Sequence, residues 1–355
     1  MTPLALPSNP RVLVVALRRL GDVLLTTPLI RSIKRAFPAA SIEALVFAGT
    51  EGILAGNPDL AEVIAMPQRP NAGETVALLR RLTRRYDVAL STQSGDRPTI
   101  LAWLAGRQSV GPIEPSGLSA TVKRLALSRC YVVDRQQHRV RDVLRLAELL
   151  GIAAVPEIVC PAGEVRADLI PAQPFAVIHA APMFTYKRWT MDGWRALATA
   201  LRQRGLAVVT SGAKSDRAYL DEVWRDGEVT RLDGKLEWPE LAATIAAARA
   251  YIGPDTAVTH LAAATGTPTV ALYGPTDPRL WGPWPMGGLD RPWAAAGTIQ
   301  QRGNVWLVQN PLACLPCQLE GCERRLDSFS QCLDELTAAQ VISAVDQALA
   351  VRRAA

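Results

Sequence analysis

The 355-residue chain contains no apolar run approaching the roughly 20 residues that a membrane-spanning helix needs. Its first residues, MTPLALPSNPRVLVVALRRLGD, lack the basic start and cleavage site of a secretory signal. The apolar run Val12–Leu17 within them has only strand length, so a cytoplasmic location is expected. A G-x-G-x-x-G loop is missing after that strand, where Ala16-Leu-Arg-Arg-Leu-Gly-Asp22 stands instead, which excludes a nicotinamide dinucleotide fingerprint. No internal repeat and no low-complexity segment is visible. Lysine is scarce: only five of the 39 cationic side chains are Lys, and the formal net charge is +6. The arginines cluster at Arg18-Arg19, around Arg31 and Arg35, at Arg80-Arg81 with Arg84-Arg85, and from Arg135 to Arg145. These clusters suit solvated helix faces, or a surface turned towards an anionic membrane. Nucleic acid is not expected as a partner, since no recognisable binding module accompanies the charge.

What is present is a two-domain α/β pattern, because the length is generous for one core and comfortable for two. In the first half, Arg11–Leu17, Ser41–Phe47, Val63–Met66 and Val88–Ser91 read as strands. Val23–Phe37, Thr75–Tyr86 and Arg139–Leu150 read as helices. Strands alternating with helices imply a parallel, doubly wound sheet. Pro156, Pro161, Pro171 and Pro174 mark a connecting stretch. The pattern then restarts with strand Phe175–His179, helix Met191–Gln203, strand Ala207–Thr210, helices Ser215–Val223 and Trp238–Ala248, and strand Ala250–Ile252. The expected domains are 1–160 and 175–336, with 161–174 as linker. A last helix over 337–350 is expected to pack back on the first domain.

The most specific stretch runs from Tyr251 to Pro283. Asp255, Thr256, Thr259 and His260 precede the small residues Ala262–Ala264. Gly266-Thr-Pro268 ends that helix, Val270–Tyr273 reads as a short buried strand, and Gly274-Pro-Thr-Asp-Pro278 is a loop. A polar loop opening an alanine-rich helix offers backbone N–H groups and a positive dipole end to a phosphate. The run D255-T-A-V-T-H260-L-A-A-A264, then Pro268, then Y273-G-P-T-D-P278, resembles the signature of glycosyltransferase family 9, the ADP-heptose lipopolysaccharide heptosyltransferases. Ala257 stands where that family has Gly, which tightens the loop. The resemblance covers nearly the whole chain. It implies a GT-B architecture, two Rossmann-like doubly wound domains facing across a cleft, with the acceptor on the first and the ADP-sugar on the second.

Site residues follow from the same resemblance. Asp22 stands between the first strand and first helix, a position that suits an N-cap as well as a catalytic base. The family's Gly-Asp motif, followed here by V-L-L-T-T-P28, makes it the base that deprotonates the acceptor hydroxyl. His179 to Trp189 resembles the donor loop that ends in K-x-W. Lys187 would neutralise the departing diphosphate, Trp189 would pack beneath the loop, and Thr185 would replace hydroxyls missing at Ala181 and Pro182. Asp216 is placed to bind ribose hydroxyls or to cap the next helix. Asp255, Thr256 and His260 are assigned to donor binding, with a core role for His260 as the other reading. Metal-dependent glycosyltransferases commonly carry a D-x-D motif. This chain has none, so no cofactor is expected in catalysis.

Four of the six cysteines, Cys314, Cys317, Cys322 and Cys332, lie within the segment 314–332. In a cytoplasmic protein this pattern suits a tetrathiolate structural site for zinc or a single iron, or a set of reduced thiols. Related autotransporter heptosyltransferases carry a four-cysteine iron site. The expected activity is inverting transfer of heptose from ADP-heptose to the lipid A–inner core of lipopolysaccharide, with peripheral contact at the inner membrane. Protein heptosylation and non-catalytic binding of a sugar nucleotide are the alternatives.

Overall fold

Four consecutive apolar residues, Val12–Val15, leave no wet face, so the strand that carries them must be covered on both sides. In the computed structural model, which describes residues 4–225 and 229–354, that strand is Arg11–Ala16 (β1), with Val12–Val15 fully buried. It sits mid-sheet among Ser41–Phe47 (β2), Glu62–Met66 (β3), Tyr86–Ser91 (β4), Gly106–Ile113 (β5) and Arg129–Val132 (β6). The order is β3-β2-β1-β4-β5-β6 and every pair is parallel. Helices Leu20–Leu24 (α1), Thr27–Ala36 (α2), Ala72–Leu82 (α3), Asp96–Ala105 (α4), Leu118–Ala126 (α5) and Arg139–Leu150 (α6) make the crossovers. Val12 and Val14 pack in one core with Leu29, Ile33 and Leu146, and Leu13 and Val15 in another with Leu82, Leu101 and Ala102.

The helix expected over Val23–Phe37 arrives as two pieces. Pro28 lacks an N–H and its ring opposes the carbonyl four residues back. The hydroxyls of Thr26 and Thr27 take up the carbonyls of Asp22 and Leu24, at 2.9 and 2.8 Å. The break fixes α1 as a single turn directly behind β1.

The chain divides into two compact units, Met1–Pro161 and Ala162–Ala355. In the second unit the strands are Phe175–His179 (β7), Ala207–Ser211 (β8), Thr230–Arg231 (β9), Ala250–Pro254 (β10), Thr269–Leu272 (β11), Ile299–Arg302 (β12) and Val305–Val308 (β13). Read from β9 the order is β9-β8-β7-β10-β11-β13-β12, parallel except for the β12–β13 edge. Its helices are Met191–Gln203 (α7), Arg217–Val223 (α8), Trp238–Ala247 (α9), Ala257–Ala264 (α10), Pro278–Trp281 (α11), Gln331–Asp334 (α12) and Ala338–Ala354 (α13). Each unit thus places two strands of opposite winding side by side, β1 with β4 and β7 with β10. Ligands of such sheets bind where the winding reverses, outside the strands' carboxyl ends.

The last helix packs within the second unit. Val341, Ala344, Val345 and Ala348 share a core with Trp194, Leu197 and Leu201 of α7. Arg204 at the end of α7 grips Asp346 through two nitrogens, at 2.6 and 2.8 Å. An apolar stripe at helical spacing goes to the nearest sheet face that lacks a cover, and here that face belongs to β10, β11 and β13. Among the described residues, no helix is long and apolar enough to cross a membrane.

Candidate active site

Asp22 lies in the first turn of α1, behind the carboxyl end of β1. It does not cap the helix: Arg19 holds the N-cap position, with no side-chain capping bond. The carboxylate is mostly covered, and Oδ1 lies 3.5 Å from Nε of Arg139. Arg139 opens α6 and is itself held in place. Its Nη2 donates to the carbonyl of Thr92, just past β4, at 2.8 Å, and its Nη1 lies 3.3 Å from Asp142. The winding reversal between β1 and β4 therefore carries a mostly covered carboxylate beside an anchored guanidinium. That pairing leaves a carboxylate with acceptor capacity to spare, the requirement for a proton acceptor.

In the second unit the residues after β7 and β10 meet. Lys187, at the end of a 3₁₀ turn over Thr185–Lys187, places Nζ 2.5 Å from Oδ2 of Asp255. Thr276 donates to the same oxygen at 2.7 Å, and the Tyr273 hydroxyl lies 3.2 Å from Oδ1. Nε2 of His260 is 3.9 Å from Oδ1. Burial works against a charge on Asp255, but Lys187, His260 and Thr276 outweigh it, and the carboxyl is held below its ordinary range. Burial, reinforced by the Asp255 charge, keeps the Tyr273 phenol protonated. The cluster thus binds a cation at a fixed point and can present it to an incoming anion.

Thr256 caps α10, its Oγ1 accepting from the Thr259 N–H at 3.4 Å. The Thr259 hydroxyl is tied down at Pro254 O, 2.5 Å away. The first N–H groups of α10 point out of the helix beside Asp255, an arrangement that receives phosphate. Thr185 sits on the Lys187 turn, its N–H donating to Leu326 O at 3.2 Å. Asp216 is turned back on its own loop and accepts from the Ala213 N–H at 2.8 Å, so it closes a turn ahead of α8. Trp189 is buried edge-on against Trp194 and donates to Leu336 O at 2.7 Å, the packing role read from sequence. His179 lies inside, with Nδ1 3.1 Å from Ser211 O, and burial pushes its pKa down to about 4, which leaves it neutral.

The structure joins Lys187, Asp255 and His260, sets Thr256 and Thr185 beside them in sequence, and holds Asp216 in a separate turn. Sequence reasoning assigned no role to Thr276 or Tyr273, although both lie in the quoted Y-G-P-T stretch. It also passed over Arg139, one arginine among many.

The four cysteines form a loose group. Cys332 is buried, and burial followed by the charges of Cys317, Cys322 and Cys314 pushes its thiol up to about 12. Cys322 Sγ accepts from the Gln331 N–H at 3.4 Å. Among the described residues, however, no three His, Cys, Asp or Glu side chains converge at ligand spacing.

Comparison with known proteins agrees with this layout. The family model "Glycosyltransferase family 9 (heptosyltransferase)" matches residues 75–287. Lipopolysaccharide heptosyltransferase 3 of Escherichia coli is 32% identical over 286 residues, covering 74% of this chain and 83% of its own length. The structure of the E. coli ADP-heptose lipopolysaccharide heptosyltransferase II superposes with a TM-score of 0.74 at 19% identity, over 97% of this chain and 99% of that one. The iron-containing dodecameric glycosyltransferase TibC from enterotoxigenic E. coli gives 0.59 at 17% identity, over 98% and 78%. The two doubly wound units are thus of the GT-B class. Since a family model spans more than half of its residues and a curated relative matches along most of its length, the chain is an enzyme that belongs to glycosyltransferase family 9, the heptosyltransferases.

Proposed function

We propose that the chain transfers heptose from ADP-heptose to the inner core of lipopolysaccharide, with inversion at the anomeric carbon. The observation that carries this reading is the Lys187–Asp255 pair at the winding reversal of the second unit. An ADP-sugar there sets its diphosphate against the amino end of α10 and the Lys187 ammonium. Asp255, Thr256, His260 and Thr185 hold the sugar and phosphates, and Asp216 the ribose. Asp22 accepts the proton of the acceptor hydroxyl as its oxygen bonds to the anomeric carbon. The bond from that carbon to the β-phosphate oxygen breaks, and its electron pair leaves with ADP. Lys187 and the α10 dipole stabilise the charge that develops on the leaving group, the stage at which fixed electrostatics lower a barrier. No metal takes part in these steps.

The test is ADP release from ADP-heptose, with and without heptose-deficient core lipopolysaccharide. Acceptor-dependent release that Asp22→Ala abolishes is expected. Release that survives Asp22→Ala removes that residue as base, and no release with any truncated core removes the acceptor assignment. Transfer to a protein is the second reading, favoured by the four-cysteine segment, and glycosylation of a protein acceptor in the same assay would establish it.

Cys314, Cys317, Cys322 and Cys332 are proposed to hold a structural zinc or iron. Four soft thiolates suit either ion, and a closed set of four leaves no open position for chemistry. Metal analysis of the purified chain beside Cys332→Ser tests this. The proposed location is the cytoplasmic face of the inner membrane, where nucleotide sugar and lipid-anchored acceptor meet.

A further inference from the structure

Helix α5 buries little of what it carries. Ala120 and Lys123 face the protein, whereas Leu118, Val122 and Leu125 recur at i, i+4 and i+7 and point outwards, at 83%, 56% and 83% exposure. Amphipathic helices ordinarily turn that stripe inwards. Helix α4 adds to it. Asp96, Ile100 and Trp103 share one of its faces, and Ile100 and Trp103 are 53% and 42% exposed. The start of that face is tied to α5, since Asp96 accepts from Ser119 Oγ at 2.8 Å and pairs with Lys123 at 2.7 Å. Five large apolar side chains on two linked helices are more than the scattered singles normal for a surface.

The surrounding charge is predominantly positive. Arg124 stands on α5 between two of the outward residues, Arg97 follows Asp96 on α4, and the Arg84 guanidinium lies 5.8 Å from the Trp103 ring centre. The carboxylates of this region, Asp96 and Glu114, are answered by Lys123 and Arg135. A second copy of the chain would set the same arginines against one another. An anionic lipid surface matches both features: leucines enter the acyl boundary while arginines extend to the headgroup phosphates.

We propose that the α4–α5 face of the first unit docks on the surface of an anionic phospholipid bilayer. The inference deepens the reading above, on which it rests in taking the acceptor as lipid-anchored. The experiment is flotation of the full chain with phosphatidylethanolamine–phosphatidylglycerol vesicles and with phosphatidylcholine vesicles, comparing wild type with the double variant Leu118→Ser, Leu125→Ser. Expected is binding to the anionic vesicles alone, weakened by salt, and at least about tenfold weaker in the variant. Thermal unfolding and ADP release with a deacylated core acceptor should be unchanged, because both leucines are exposed and neither touches the site. The proposal is overturned if wild type ignores anionic vesicles or if the variant floats as well as wild type. It is also overturned if the substitutions abolish self-association while neither protein binds vesicles. Leucine-dependent flotation without turnover of the deacylated acceptor would sustain the docking surface and overturn the acceptor assignment alone.

Discussion

Substituting Lys187 by Met isolates the energetics of the Lys187–Asp255 cluster. At 2.5 Å, with side chains only 19% and 9% exposed, Lys187 and Asp255 attract each other by about 7 kcal/mol at an effective dielectric of about 20. Removing each charge from water costs several kcal/mol, so the pair taken together adds little to stability. Lys187→Met removes the attraction and leaves the desolvated carboxylate, with the Thr276 and Tyr273 hydroxyls as partial compensation. The expected loss is about 3–5 kcal/mol for one partner of a buried pair. For a unit of this size that is a drop of roughly 6–20 °C in melting temperature. Urea unfolding followed by tryptophan fluorescence reads the right unit, since eight of the nine tryptophans lie in the second. The pH dependence has a definite sign. Asp255 is held below its ordinary range, so wild type has this stability above the unfolded carboxylate value near 4 and loses it as pH falls through the lower folded value. Without Lys187, burial is left to raise the same group. The gap between the two proteins should therefore be widest near neutrality and narrow in acid, as Asp255 takes up a proton. The double variant Lys187→Met, Asp255→Asn should recover most of the loss. A deficit under about 1 kcal/mol, a gap indifferent to pH, or strictly additive losses would refute the reasoning.

Arg139→Gln should lower kcat by about tenfold or more while leaving ADP affinity by calorimetry unchanged, because Arg139 lies beside Asp22 in the first unit and the ADP-sugar is proposed to bind the second. Gly193→Ala should cost about 1–3 kcal/mol in urea unfolding, since a Cβ there would lie 2.5 Å from Cζ2 of Trp189. In the metal-free chain, alkylation at pH 8 should be rapid at exposed Cys314 and Cys322 and slow at Cys332, whose thiol is pushed up to about 12. Protection of all four, lost on chelation, is the outcome expected for the metal-bound form.

Much of the fold was legible in the sequence because burial and spacing agreed. β1, β7 and α7 announce themselves by continuous apolar runs and a clean stripe, with Thr190 capping α7. The stretch 96–132 gave no such signal. Helix α4 carries Thr, Ile, Leu, Ala and Trp around its circumference, which erases the 3.6-residue rhythm. Strand β5 holds Gly106, Gly111 and Pro112, residues that read as a turn. Gly106 is needed there because a Cβ would come within 2.8 Å of Ala89 N on β4. Asp22, Lys187 and Asp255 were singled out by the family motifs they sit in, and each proves to follow a strand at a winding reversal. Arg139 was not, because only the tertiary fold brings the start of α6 to the end of β1. The outward leucines of α5 were likewise hidden, since a helical stripe announces a face without saying which way it points.

The Lys187 turn owes its shape to residues some 140 positions further along. Thr185 donates to Leu326 O, Ser330 donates to Tyr186 O at 2.6 Å, and Trp189 donates to Leu336 O. On the ribosome these anchors do not yet exist when the turn emerges, so the nascent chain can assemble its first unit and most of β7–β11 while the lysine still swings loose. A chain stopped before Leu326 should show this as early proteolytic cutting near Lys187. The site proposed for the ADP-sugar would then be completed only late in synthesis.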